Sequence, residues 1–245
     1  VAPRDVRQST TSANYQRPEG GGTSRLVVGG GQASFTLVRT AQELRVVVHI
    51  RFVTGRLDAN RHVVTAQPLQ QYRNDAKLRE WHNGIVRYWS DKLVATNGRS
   101  RLNVTFEPYV DRSWDASPDF TVTVVPEEFR SDVTDWSEAY GGVVAAHEFG
   151  HMLGNPDEYA LPAKRSDIPI AELPNEASRT RSNIADLPAG TRTDPDPAGG
   201  RSVHGLMGWY DKSTDIEPRH GWLVLDTLND GMLISGEPKF TLEKR

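Results

Sequence analysis

The 245-residue sequence predicts an α/β fold: a twisted mixed sheet, mostly parallel, packed on one long helix, with a second helix beneath a cleft. Three observations predict it. Several short runs are dense in Val, Ile and Phe or alternate apolar with polar residues, which is the strand pattern. One stretch after Pro68 repeats its apolar residues at helical steps, and a short apolar helix follows Gly141-Gly142. A chain of this length buries one large core without staples.

The elements follow in order. Residues 1–31 are rich in Ser, Thr, Arg, Pro and Gly and read as a flexible leader, with at most a short strand at Leu26 to Val28. The chain starts at Val1 with no charged-then-apolar leader, so it reads as a trimmed piece whose targeting signal is missing. Leu44 to Val53 is dense in β-branched and aromatic residues and reads as a strand. Leu69, Tyr72, Ala76, Trp81, Ile85, Trp89 and Leu93 then mark one amphipathic helix from Leu69 to Leu93, with Trp81, Tyr88 and Trp89 as core. Asn97-Gly98 is a turn. Leu102, Val104 and Phe106 make the next strand, and Phe120, Val122 and Val124 another, closed by Pro126.

The short helix runs from Gly141-Gly142 to Leu153 and stops at Gly154. Ala160 to Ser202 is rich in Pro, Asp, Arg and Ser with little periodicity, and a loop this long inside a domain is functional or mobile. Pro218 to Asp230 reads as a last helix, with Pro in its first turn and Gly231 past its end. Residues 32–245 read as one domain, expected to divide into an upper subdomain to about residue 154 and a lower one from about 155 to 245.

Composition excludes several classes. A formal net charge of -3 argues against a nucleic-acid or anionic-membrane surface, and no apolar run reaches the ~18 residues of a membrane span. With 0 Cys there are no disulfides, thiolate metal sites or cysteine nucleophiles.

The chemistry concentrates in His147-Glu148-Phe149-Gly150-His151. Residues four apart share a helix face, so His147 and His151 can direct two imidazoles at one zinc ion. Glu148 is rotated about 100° away, so it misses the ion but reaches a water beside it. That suits a general base that takes the water's proton and passes it to a leaving amine. Gly154 can adopt the left-handed conformation and turn the chain out of the helix. Asn155-Pro156 continues the bend and swings Asp157 back as a third ligand. Glu158 and His220 are the rivals for that position, and Tyr159 lies within reach.

The run from His147 through Gly154 to Asp157 resembles the elongated zinc-binding consensus of the metzincin clan, with Asp in place of the usual third His, as in snapalysin-like enzymes. Asp157-Glu158-Tyr159 is also similar to metallopeptidase domains of bacterial secreted toxins and injected effectors, and to bacterial IgA-peptidase-like enzymes. The similarity covers about thirteen residues, and its third ligand departs from the usual pattern. The resemblance implies a metzincin-like zincin with a C-terminal subdomain carrying a Met-turn, for which Met207 in His204-Gly205-Leu206-Met207-Gly208 is the candidate. It implies a zinc endopeptidase that acts as a monomer on a protein or peptide substrate and is secreted or delivered into a target cell. The Ala160 to Ser202 segment would then wall the primed side of the cleft.

Other residues receive lesser roles. His220 and Tyr210 are candidates to stabilise an oxyanion, although the slot two past Met207, where some metzincins carry Tyr, holds Trp209. His204 reads as structural, and His49, His62 and His82 as ordinary. Asp111, Asp115 and Asp119 lack the ligand spacing of a calcium loop and read as a solvated loop. Two other functions stay open: a catalytically silent zinc-bearing binding module, against which the retained Glu148 argues, and a metal-assisted hydrolase of a non-peptide bond.

Overall fold

A computed structural model describes residues 9–16, 32–114, 117–155, 157–158, 192–195, 197, 201–233 and 235–245. In chain order the elements are β1 (Ser9–Gln16), β2 (Gln32–Arg39), β3 (Glu43–Leu57), β4 (Val63–Thr65), α1 (Asp75–Trp89), β5 (Leu93–Thr96), β6 (Arg101–Val110), β7 (Phe120–Val125), β8 (Asp135–Ser137) and α2 (Gly142–Met152). After these come β9 (Thr193–Pro195), β10 (Arg201–Val203), a 3₁₀ turn (Pro218–Gly221), α3 (Trp222–Gly231) and β11 (Thr241–Lys244). The fold is α/β with a mixed sheet. Among the described residues no helix is long and apolar enough to cross a membrane.

Strand β3 organises the sheet. Its period-two pattern buries Leu44, Val46, Val48, Ile50 and Phe52 on one face. Its first half pairs in parallel with β6 and its second half with β7, which in turn pairs in parallel with β8. The remaining ladders of this sheet, β1–β2, β2–β3, β3–β4, β5–β6 and β5–β11, are antiparallel. The expected mostly parallel sheet is thus corrected. Alternation reports which face is buried and carries no information on strand direction.

Helix α1 is shorter than its apolar spacing predicts. Gln70 and Tyr72 are bonded to the backbone of Thr54 and Phe52, so the chain is still extended there, and Leu69 is 46% exposed. The helix begins only after Asn74, whose side chain accepts from Lys77 N–H as an N-cap. It ends at Ser90, and Leu93 belongs to β5, which turns back into β6 through Gly98 at φ 77°. Along its buried face, Leu78, Trp81, Ile85 and Trp89 join the inward residues of β3 and β6 in one core. The Trp81 ring lies 5.7 Å from Phe52 and 5.2 Å from Trp136, and Trp89 lies 5.3 Å from Phe106.

Three other expectations change. Within the predicted leader, Ser9–Gln16 is an edge strand paired with β2, while Leu26 to Val28 lies outside the described residues. Within the long loop, β9 and β10 form a two-stranded antiparallel sheet; most of Ala160 to Ser202 lies outside the described residues. Finally, the end of the predicted lower subdomain returns to the main sheet. Strand β11 pairs with β5, and Arg39 of β2 donates to Glu237 at 2.8 and 2.6 Å. The last helix forms as expected, except that Pro218–Gly221 is a 3₁₀ turn and the α-helix starts at Trp222.

Candidate metal centre

Helix α2 is placed by glycine. A Cβ at Gly84 of α1 would overlap the backbone of Gly142, so the two helices touch backbone to backbone at the start of α2. Trp89, at the other end of α1, donates from Nε1 to Ala146 O at 2.8 Å, one residue before His147. These two contacts fix the axial position and rotation of α2.

His147 and His151 then stand one turn apart, 4% and 6% exposed, with ring centroids 4.9 Å apart. Each ring is oriented by a backbone carbonyl: His147 Nδ1 lies 2.7 Å from Leu206 O, and His151 Nδ1 lies 2.7 Å from Asn155 O. A carbonyl only accepts, so each Nδ1 carries a proton, and a ring in its neutral form then has its lone pair at Nε2. Gly154, at φ 85°, turns the chain out of the helix as expected, and Asp157 comes back beneath the pair. Its Oδ1 is 3.1 Å from His147 Nε2 and 3.2 Å from His151 Nε2.

The donor set fits a cation. Asp157 Oδ1 is buried between the two ring nitrogens, and no donor other than the rings reaches it. Two imidazole lone pairs and a carboxylate oxygen converge, all three ligand atoms within 4.8 Å of one another. Crowded lone pairs repel unless a positive charge sits among them, and a buried divalent ion supplies it. His147, His151 and Asp157 can therefore bind a metal ion. Among the described residues they are the only His, Asp or Glu group so arranged.

Glu148 lies beside this group. Its Oε2 is 3.9 Å from His151 Nε2, is buried and accepts no hydrogen bond. Burial pushes the Glu148 carboxyl up from its ordinary pKa, and the imidazoles of His151 and His147 offset this only partly. Burial would also raise Asp157, but His147 and His151 outweigh it and hold that carboxyl well below the usual range. For His151 burial favours the neutral ring, yet the Asp157 carboxylate reverses the balance and raises its pKa. A cleft of about 370 Å³ opens onto Glu148, His151 and Asp157, walled by Arg130, Ser131, Asp132 and Val133. Arg130 reaches to 4.0 Å from Asp157 Oδ2.

The rival ligands are placed elsewhere. Glu158 is fully buried and receives Arg219 bidentately, Nε to Oε1 and a terminal nitrogen to Oε2, both at 2.8 Å. His220 Nδ1 accepts from Glu217 N–H at 2.9 Å, and its Nε2 faces Glu158 Oε1 at 3.2 Å. His220 is thus tied to the buried Arg219–Glu158 pair rather than to the metal group, and it is 1% exposed. Tyr159 lies outside the described residues.

Met207 is fully buried, and a Cβ on Gly150 would overlap its sulfur, so the Met207 turn packs directly on α2 between the two histidines. The neighbouring Leu206 carbonyl orients His147. Tyr210 sits edge-on to His147 with centroids 5.7 Å apart, its hydroxyl pKa raised by burial and by Tyr140 and Glu148. His204 bonds Asp194 at 2.9 Å, in keeping with a structural role. The acidic loop is a correction: Asp111 is buried against Arg51 at 2.9 Å, and Asp119 accepts from Ser34 and from His49 N–H. Asp115 lies outside the described residues.

Sequence reasoning missed the cleft wall at Arg130 to Val133, the Arg219–Glu158 pair and the two orienting carbonyls. A carbonyl has no sequence signature, and Arg219 carries only a weak one beside His220. In comparisons with known proteins, no family model, no curated protein and no solved structure gives a significant match to this chain.

Proposed function

We propose that this protein is a zinc-dependent endopeptidase of metzincin-like construction. The observation that carries the reading is the convergence of His147 Nε2, His151 Nε2 and Asp157 Oδ1, with the Glu148 carboxylate alongside and a cleft opening onto the group. His147, His151 and Asp157 would hold the ion. Zinc in a site of two imidazoles and one carboxylate supplies Lewis acidity and brings the pKa of a water toward ~7.

Glu148 performs the proton work. Its buried carboxylate, with Oε2 3.9 Å from His151 Nε2 and no hydrogen-bond partner, is placed to accept a proton from water and release it to the departing amine within one turnover. The Leu206 and Asn155 carbonyls keep both rings in the Nδ1–H form, so Nε2 stays available as ligand. Met207 supports the helix from below, as the Met-turn of this reading requires, and Tyr210 is the candidate donor to the oxyanion. Asp157-Glu158-Tyr159, by its resemblance to bacterial toxin and effector domains, supports secretion or delivery as part of the same proposal.

The test combines metal content with hydrolysis of an unfolded protein substrate. The parent should hold about one zinc per chain and lose activity to a chelator; His147→Ala and His151→Ala should lose the metal. Glu148→Ala should keep it and lose turnover by about 10²–10⁴-fold. Parental turnover in Glu148→Ala sinks the assignment of the base. Metal binding without hydrolysis of any peptide in the parent supports a binding module, and cleavage of esters alone supports a non-peptide hydrolase.

A further inference from the structure

Asp157 and Glu158 are adjacent, acidic and buried, and either carboxylate is chemically able to ligate zinc. Their side chains diverge. Asp157 faces His147 and His151 at 3.1 and 3.2 Å, whereas Glu158 faces Arg219 through two hydrogen bonds of 2.8 Å. The Glu158 backbone is pinned as well: its N–H donates to Met207 O at 2.7 Å, and its carbonyl accepts from Val203 N–H at 2.8 Å. Arg219 is only 9% exposed and reaches Glu158 from the 3₁₀ turn, far along the chain from α2.

We propose that Arg219 and Glu158 are positioning residues that select the third metal ligand. By engaging Glu158 with both arms of the guanidinium, Arg219 keeps that carboxylate off the histidines and fixes the preceding residue, Asp157, upon them. The inference rests on the metal reading of the His147–His151–Asp157 group. The fork geometry matters because a bidentate pair sets the orientation of a carboxylate as well as its distance. The network also refers to α2 itself. Trp89, which donates to Ala146 O, lies edge-on to His220 with centroids 6.4 Å apart, and His220 faces Glu158 at 3.2 Å. One buried set of contacts thus spans the helix that carries two ligands and the segment that carries the third.

Arg219→Met tests this in the full chain loaded with cobalt(II), whose visible absorption reports the ligand set. Affinity is read by chelator competition on protein shown to be folded by near-ultraviolet circular dichroism. Partners standing behind a metal ligand are worth about 10–100-fold in affinity, so Arg219→Met should weaken cobalt binding by that factor and shift the visible bands. Arg219→Lys, which keeps the charge but loses the fork, should fall between the two. Should Arg219→Met fail to fold, Glu158→Gln, which preserves shape and removes the charge, reads the same two quantities with the same expected direction. A folded variant with parental affinity and an unchanged spectrum overturns the inference, because a purely structural pair would alter the melting temperature alone. A parent that takes up no cobalt overturns the metal reading and this inference with it.

Discussion

At His147 and His151 the decisive detail is which ring nitrogen carries the proton. The Leu206 and Asn155 carbonyls, each 2.7 Å from an Nδ1, settle it in favour of Nδ1–H. Both Nε2 atoms are then directed at Asp157 Oδ1, which no other donor reaches. Replacing Asp157 with Ala removes one of three donors. Loss of partners behind a ligand already costs about 10–100-fold, so zinc affinity should fall by more than this in Asp157→Ala, measured by chelator competition. Unchanged affinity would remove Asp157 from the ligand set.

At the scale of elements, the position of α2 depends on one glycine from each helix. Gly84 and Gly142 bring the backbones of α1 and α2 into contact, and a methyl group on Gly84 has nowhere to go except into Gly142 main chain. Overpacking of a tight contact costs about 1–3 kcal/mol. Gly84→Ala should therefore lower the urea unfolding free energy by that amount. It should also weaken metal binding, because pushing the helices apart moves both histidines relative to Asp157. A variant with parental stability and metal affinity would show that the helix contact relaxes without consequence. The short helix that carries the chemistry was legible from His147, His151 and Gly154, since the four-residue spacing and the stop are local. The extent of α1 was not. Leu69 and Tyr72 fit a helical period in sequence, yet hydrogen bonds from the 70–72 segment to β3 hold them in extended chain.

For the whole molecule, the Glu158–Arg219 pair links the site to acid stability. Burial alone would raise the Glu158 carboxyl, but His220 and the Arg219 guanidinium packed against it outweigh this and hold its pKa well below the ordinary 4.5. A carboxyl depressed in the folded state contributes its stability above the unfolded pKa and loses it as pH falls through the lower, folded value. The urea midpoint of the parent should therefore drop as pH falls below about 4.5. In Glu158→Gln the part of that slope owed to Glu158 should vanish, and parallel profiles from pH 7 to 3 in the two proteins would refute the assignment. Distant parts of the chain are joined in the same manner elsewhere: Arg39 of β2 meets Glu237, and β11 closes the edge beyond β5.

Local pattern alone determined that the chain alternates strands with helices, that one short helix presents two histidines and a glutamate, and that Gly154 turns the chain toward an acidic pair. Those features depend on spacing within a few residues, where periodicity and backbone sterics act directly. Tertiary structure decided the rest. Strand directions, the return of the C-terminal segment to the main sheet, and the capture of Glu158 by Arg219 that leaves Asp157 to the histidines all depend on partners dozens of residues or more away. Two adjacent carboxylates are equivalent in a sequence, and only the charges packed against each distinguish them.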